Sequence, residues 1–277
     1  MFTTHRFLLM MFLLLPLSVW SQEDIRIGKQ YSVYSSSLQE KRTYWVHLPD
    51  NYEENKNQHY PVIYLLDGED FFHAMVGIRQ TLSTTKGKHI PPCIIIGIIS
   101  GDRTRDFTPT ASTIGRDGKQ TLNAIPQGGG ADRFYHFLIK ELRTRIDSSY
   151  RTNGRNILIG HSYGGLFTLN VFLHYTESFD TYLAIDPSLW WDNGRLAKEA
   201  ISLIKRKDFS QTNLYIGIAS KKRNDRTDIH LATIRHFLHV LSEIHGLHFY
   251  HKSFPDENHG SVKIPGLYDG IKQLFAR

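Results

Sequence analysis

Short, almost wholly apolar runs alternate along this chain with segments whose apolar residues recur at helical spacing. Tyr60-Pro61-Val62-Ile63-Tyr64-Leu65-Leu66 reads as a buried strand that ends at Asp67-Gly68. Residues 93–99, Asn156-Ile157-Leu158-Ile159, Tyr182-Leu183-Ala184-Ile185 and Leu214-Tyr215-Ile216-Gly217-Ile218-Ala219 repeat that reading, and residues 249–254 read as the last strand. Residues 30–48 read as two further strands, the second at Tyr44-Trp45-Val46-His47-Leu48, and residues 50–58 as a polar loop. Helical spacing spans residues 71 to about 83, 131–146, 166–173, 195–205, 228–245 and about 267 to 275. The apolar face of the 228–245 segment is Leu231, Ile234, Phe237, Leu238 and Leu241, and Gly246 is expected at its C′ position. Residues 101–130 follow neither period, close on Gly128-Gly129-Gly130, and read as a long functional or mobile loop. Fully apolar strands alternating with helices predict an α/β fold, with a mainly parallel central sheet covered by helices on both faces. Such a sheet carries its site at the C-terminal ends of its strands, where Ser162, Asp67-Gly68, Asp186 and the loop after Ala219 fall.

The first residues break this pattern. Residues 1–6 carry one arginine, residues 7–20 are almost wholly apolar, and Ser21-Gln22-Glu23-Asp24 follows. This is the pattern of a secretory signal peptide, with cleavage expected between Ser21 and Gln22. The apolar stretch is short for a membrane span and contains Pro16, so no stable membrane insertion is expected after cleavage. Residues 1–21 are therefore assigned to the signal peptide and 22–277 to one α/β domain, exported to the periplasm or secreted. A chain of 277 residues can bury a core of that size. The single cysteine, Cys93, lies in an apolar run and reads as a core thiol, so no intramolecular disulfide can form. The formal net charge of +6 drops to +5 without residues 1–21, which contain Arg6 and no acid. With no basic cluster interleaved with aromatics, nucleic acid is not an expected partner.

Gly160-His161-Ser162-Tyr163-Gly164-Gly165 joins a predicted strand to a predicted helix. A G-x-S-x-G motif in that context is a nucleophile elbow, with Ser162 as nucleophile at a helix N-terminus. Such architectures place the base after the last strand, and Phe254-Pro255-Asp256-Glu257-Asn258-His259-Gly260-Ser261 offers His259. His161 adjoins the serine, but the elbow directs its side chain beneath the reaction centre. The acid is expected in the loop after residues 214–219, at Asp225, with Asp228 as second choice; Asp228 also suits a helix N-terminus without any catalytic role. Asp186 is an alternative position, and a Ser–His pair without an acid is another. The oxyanion donors are expected to be the backbone N–H groups of Tyr163 and Glu69, with Gly68 letting that backbone approach the substrate. Trp190 and Trp191 are candidates for a substrate pocket or for packing beside the sheet end. In Arg103-Thr104-Arg105-Asp106, the last two are expected to pin the long loop by charge-assisted hydrogen bonds. His245, His248 and His251 straddle a helix end and a strand and do not converge, so neither a metal nor another cofactor is expected.

Five segments in order carry a resemblance: Tyr64-Leu65-Leu66-Asp67-Gly68-Glu69, Asp102-Arg103-Thr104-Arg105-Asp106-Phe107-Thr108-Pro109, Gly160 to Gly165, Asp186-Pro187-Ser188-Leu189-Trp190-Trp191 and His259-Gly260-Ser261-Val262. Together they resemble the putative esterase family of α/β-hydrolases, in the branch near the enterochelin (siderophore) esterases. The resemblance implies an α/β-hydrolase fold and a serine carboxylic-ester hydrolase acting through Ser162 and His259 on a small-molecule or carbohydrate-linked ester. Siderophore-type esters lead that expectation. Acetyl or feruloyl carbohydrate esters, acyl transfer on the same fold, and a non-catalytic binding module are the alternatives.

Overall fold

In a computed structural model, residues 23–84, 90–121, 127–205, 207–221 and 228–275 are described. The signal-peptide assignment lies outside them, as does Asp225. An eight-stranded sheet forms the centre of the molecule, in the order β1-β2-β4-β3-β7-β8-β9-β10. Its strands are β1 (Lys29–Ser35), β2 (Glu40–His47), β3 (Tyr60–Leu66), β4 (Ile94–Ile98), β7 (Thr152–His161), β8 (Thr181–Ile185), β9 (Asn213–Ala219) and β10 (His248–Phe254). β1 and β2 pair antiparallel, β2 is antiparallel to β4, and from β4 to β10 every pairing is parallel. The predicted parallel architecture is therefore present, with an antiparallel pair at one edge.

The apolar runs follow from burial on both faces. Val62, Tyr64 and Leu66 point into one core layer, and Ile63 and Leu65 into the other. This period-2 split leaves no solvent face, which is why β3 shows no polar alternation. α1 (Gly68–Thr84) and α8 (Lys263–Phe275) cover the Ile63 side through Phe72, Met75, Leu267 and Ile271. The other side is covered by α3 (Ala131–His136), a π-helical stretch (Phe137–Arg143), α4 (Thr144–Ser149), α5 (Tyr163–His174), α6 (Trp191–Ile204) and α7 (Asp228–Ser242).

Three local expectations change. The helix expected over 131–146 changes pitch at Phe137 and runs on to Ser149. Gly246, at φ +84°, lies in a turn beyond the end of α7 and is not its C′ residue. The 101–130 segment is not structureless: it holds α2 (Arg103–Phe107) and a small antiparallel pair, β5 (Ala111–Ser112) and β6 (Gln127–Gly128). The Asp102 carboxylate caps α2 by accepting from the Arg105 N–H at 3.0 Å. Side-chain ties, invisible to periodicity, hold α2 in place. The buried Asp106 accepts from Arg42 at 2.7 Å and from Arg105 at 2.7 Å, and both arginines also reach Glu40 on β2. Arg105 and Asp106 thus pin this segment to the sheet edge, as expected from the sequence.

Candidate active site

The candidate residues lie at the C-terminal ends of five strands of the sheet. Asp67 follows β3, Ser100 follows β4, Ser162 follows β7, Asp186 follows β8 and His259 lies in the loop after β10. Ser162 has φ +59° and ψ −118°, a strained conformation for a non-glycine residue. The elbow's glycines sit in close quarters: a Cβ at Gly160 would lie 2.2 Å from the carbonyl oxygen of Gly164, and one at Gly165 would press on Pro187 Cα at 3.1 Å. The strain is held by backbone hydrogen bonds to the neighbouring strand, from Ser162 N–H to the Ile185 carbonyl and from Ser188 N–H to the Ser162 carbonyl, each 3.0 Å.

His259 bridges two groups. Its Nε2 lies 3.0 Å from Ser162 Oγ and its Nδ1 lies 2.6 Å from Asp186 Oδ2. Asp186 is 1 % exposed and has φ +39°. Its other carboxylate oxygen accepts from Ala219 N–H at 3.0 Å, and its own N–H donates to Gly217 at 2.7 Å. The carboxylate is thereby aimed from β8, supported by β9.

The described carboxylate beside His259 is Asp186, the alternative position among the expected acids. Asp186 occupies the Nδ1 side of His259, the place reserved for Asp225 or Asp228. Asp225 lies outside the described residues, and so does the side chain of Asp228. β8 and β9 are adjacent parallel strands, so carboxylates after either can approach the same histidine, and chain order cannot choose between them. One signal was present. Asp186 abuts a wholly buried strand with no polar spacer, and a buried carboxylate needs a partner.

Ser188, absent from the candidates, is 2 % exposed and brings its hydroxyl within 3.3 Å of Ser162 Oγ. His161 does sit beneath the centre. It is 4 % exposed, and its Nε2 lies 2.9 Å from the backbone carbonyl of His259. Burial first, and then the neighbouring His259, bring its imidazole down to about 4.

Tyr163 opens α5 and Glu69 lies in the first turn of α1, where helix geometry leaves N–H groups without intrahelical acceptors. Gly68 is needed for packing, since its Cβ would fall 2.6 Å from the Gly97 carbonyl carbon of β4. The preceding Asp67, at φ +52° and 3 % exposed, accepts from Ser100 Oγ at 2.6 Å and from both arms of the Arg103 fork at 2.6 and 3.0 Å. Arg103 also lies over the rings of Phe107 and Tyr163. The two tryptophans divide their roles. Trp191 is buried and donates its indole N–H to the Thr110 carbonyl at 2.9 Å, anchoring the long segment. Trp190 is half-buried, with its ring 6.0 Å from that of Tyr163 at the rim. A cavity of about 650 Å³ lies at the opposite end of the strands, beside His47 and Tyr150, and contains none of these residues.

Comparison with known proteins adds to the geometry. The profile of the family described as Putative esterase matches residues 35–259. The ferri-bacillibactin esterase BesA of Bacillus subtilis is 31 % identical over 245 residues, which span 82 % of this chain and 83 % of that protein. The siderophore enterobactin esterase of Emericella nidulans is 34 % identical over 152 residues, 50 % of this chain and 49 % of that protein. Among solved structures, an IroE-like serine hydrolase from Shewanella oneidensis superposes with a TM-score of 0.81 at 37 % identity, covering 90 % of this chain and 80 % of that one.

Proposed function

Because the chain belongs to the Putative esterase family and is a carboxylic-ester hydrolase, we propose that it cleaves its ester through Ser162, with His259 as base and Asp186 as the carboxylate that orients the base. The observation that carries this reading is the position of His259 between Asp186 Oδ2 and Ser162 Oγ.

Asp186 accepts the hydrogen of His259 Nδ1, which leaves the Nε2 lone pair facing the serine hydroxyl. Ser162 Oγ attacks the ester carbonyl carbon as Nε2 takes its proton, and the buried Asp186 carboxylate stabilises the imidazolium that forms. The carbonyl oxygen gains negative charge in front of the Tyr163 and Glu69 N–H groups, fixed donors at two helix starts. His259 then returns its proton to the departing alkoxide, and an acyl group remains on Ser162. Water then attacks the acyl carbon as Nε2 takes its proton, and His259 returns that proton to Ser162 Oγ as the acyl–oxygen bond breaks and the carboxylic acid leaves.

The substrate is proposed to be a siderophore-type ester. The relatives named as esterases of such compounds support this, and so does the chemistry of the rim. Arg103 lies over the Tyr163 ring, and Trp190 offers a partly open ring beside it. Aromatic faces at this rim suit a ring-bearing ligand. Residues 1–21 are proposed to export the chain, and Edman sequencing of the mature protein is expected to begin at Gln22. The reading is tested with Ser162→Ala. Hydrolysis of a trilactone siderophore and of 4-nitrophenyl butyrate is expected to fall at least about 10³-fold, and fluorophosphonate labelling to vanish. A trilactone turned over no faster than acetylated xylan or a feruloyl ester would remove the siderophore assignment while leaving the serine mechanism in place.

A further inference from the structure

A base on a loop needs a rigid support, and the Ser162–His259 pair is joined by only one side-chain contact, at 3.0 Å. The loop supplies part of that support itself. The Asn258 side-chain oxygen accepts from Gly260 N–H at 2.9 Å and from Ser261 N–H at 3.1 Å, and Val262 N–H closes on the Asn258 carbonyl. None of these bonds ties the loop to the elbow. The residue next to the nucleophile does. His161 is the last residue of β7, in a central strand of the sheet, and its Nε2 lies 2.9 Å from the His259 carbonyl oxygen. A carbonyl only accepts, so His161 Nε2 carries the hydrogen. The two imidazole rings lie 4.6 Å apart, and Phe71 packs edge-on against the far side of His161.

We propose that His161 is a positioning residue for the ester cleavage: its Nε2–H fixes the backbone of His259, so that consecutive residues 161 and 162 hold the base from two sides. The inference rests on His259 being the base. Its physical content is that the Oγ–Nε2 distance is set through a hydrogen bond anchored one residue from the nucleophile. A small displacement of the base costs rate without costing substrate affinity, because proton transfer depends steeply on approach. The low proton affinity of His161 suits this place, since a second imidazolium beside His259 would oppose the charge that forms there during attack.

Two variants of matched length separate the donor from the packing. Glutamine places an N–H near the position of Nε2, and methionine fills a similar shape without one. For His161→Met, kcat for 4-nitrophenyl butyrate is expected to fall about tenfold with KM within twofold, and the fluorophosphonate inactivation rate to fall by the same factor. For His161→Gln, both rates are expected within about threefold of the wild type. Equal rates in the two variants, at thermal midpoints within a degree or two of each other, would overturn the inference, whether both are active or both impaired. His259→Ala is measured beside them. Its inactivity together with equal Met and Gln rates removes the positioning role alone, whereas an active His259→Ala removes the base assignment and this inference with it.

Discussion

At the scale of single residues, Asp186 differs from an ordinary surface carboxylate in burial, in backbone conformation and in having both oxygens engaged. Asparagine at that position keeps the size and can donate to His259, which would favour the tautomer with its hydrogen on Nε2. The lone pair needed to accept the serine proton would then face the wrong way. Asp186→Asn is therefore expected to lower kcat by about 10³–10⁴-fold with little change in thermal midpoint, measured by steady-state hydrolysis and calorimetry. Replacement of Asp225 by asparagine is expected to leave kcat within about twofold, which checks the assignment from the other side. Ser162 and His259 were legible in the sequence because each sits in a local pattern, the elbow and the loop after the last strand. Asp186 was one of several carboxylates at strand ends, and only the sheet order and the direction of its side chain select it.

At the scale of elements, the elbow is a strand and a helix joined with no room between them. Gly160 faces the Gly164 carbonyl, and Thr168 Oγ1 back-bonds to that same carbonyl at 2.9 Å. Gly160→Ala is expected to destabilise the fold by about 3 kcal/mol and to abolish fluorophosphonate labelling in whatever protein remains folded, read by denaturant titration and gel labelling. The strands β3, β7, β8 and β9 were readable because burial on both faces leaves unbroken apolar runs. The Phe137–Arg143 change of pitch was not readable, since Phe134, Phe137, Leu138 and Leu142 reach the core with a spacing an ordinary helix also supplies. α2 was hidden for a different reason. A five-residue helix has too few turns to show a period, and it is held by the Asp102 cap and the Asp106 ion pairs.

At the scale of the molecule, two sets of titrating groups predict a stability profile with two acid limbs. His47 and His161 are buried and held below the usual histidine value, chiefly by desolvation. An unfolded chain binds protons at these positions near 6.5 and the folded chain does not. Their contribution is therefore complete above pH 6.5 and lost as pH falls toward the folded value, about 4 for His161. For His161 the slope reaches up to about 1.4 kcal/mol per pH unit in that window. Glu40 follows at lower pH. Hydrogen bonds from Arg105 and, after the opposing cost of burial, from Arg42 bring it from 4.5 to about 2. Its contribution is present above pH 4.5 and is lost as pH drops toward 2. Thermal midpoints measured from pH 7 to 2.5 are expected to decline through both windows. Glu40→Gln is expected to flatten the lower limb and leave the upper one, because it changes no histidine environment.

The order of buried strands and helices, and the candidacy of Ser162 and His259 for the proposed nucleophile and base, came from the sequence alone, because each rests on burial pattern or on chemistry confined to a few consecutive residues. The contacts of His259 with Asp186 and His161, and the described parts of residues 101–130, were placed only by the tertiary structure. Asp186 lies 73 residues from His259, His161 lies 98 from it, and Arg42 lies 64 from Asp106. Contacts across such separations depend on which strands lie side by side and which way each side chain leaves its strand, and no local pattern encodes either.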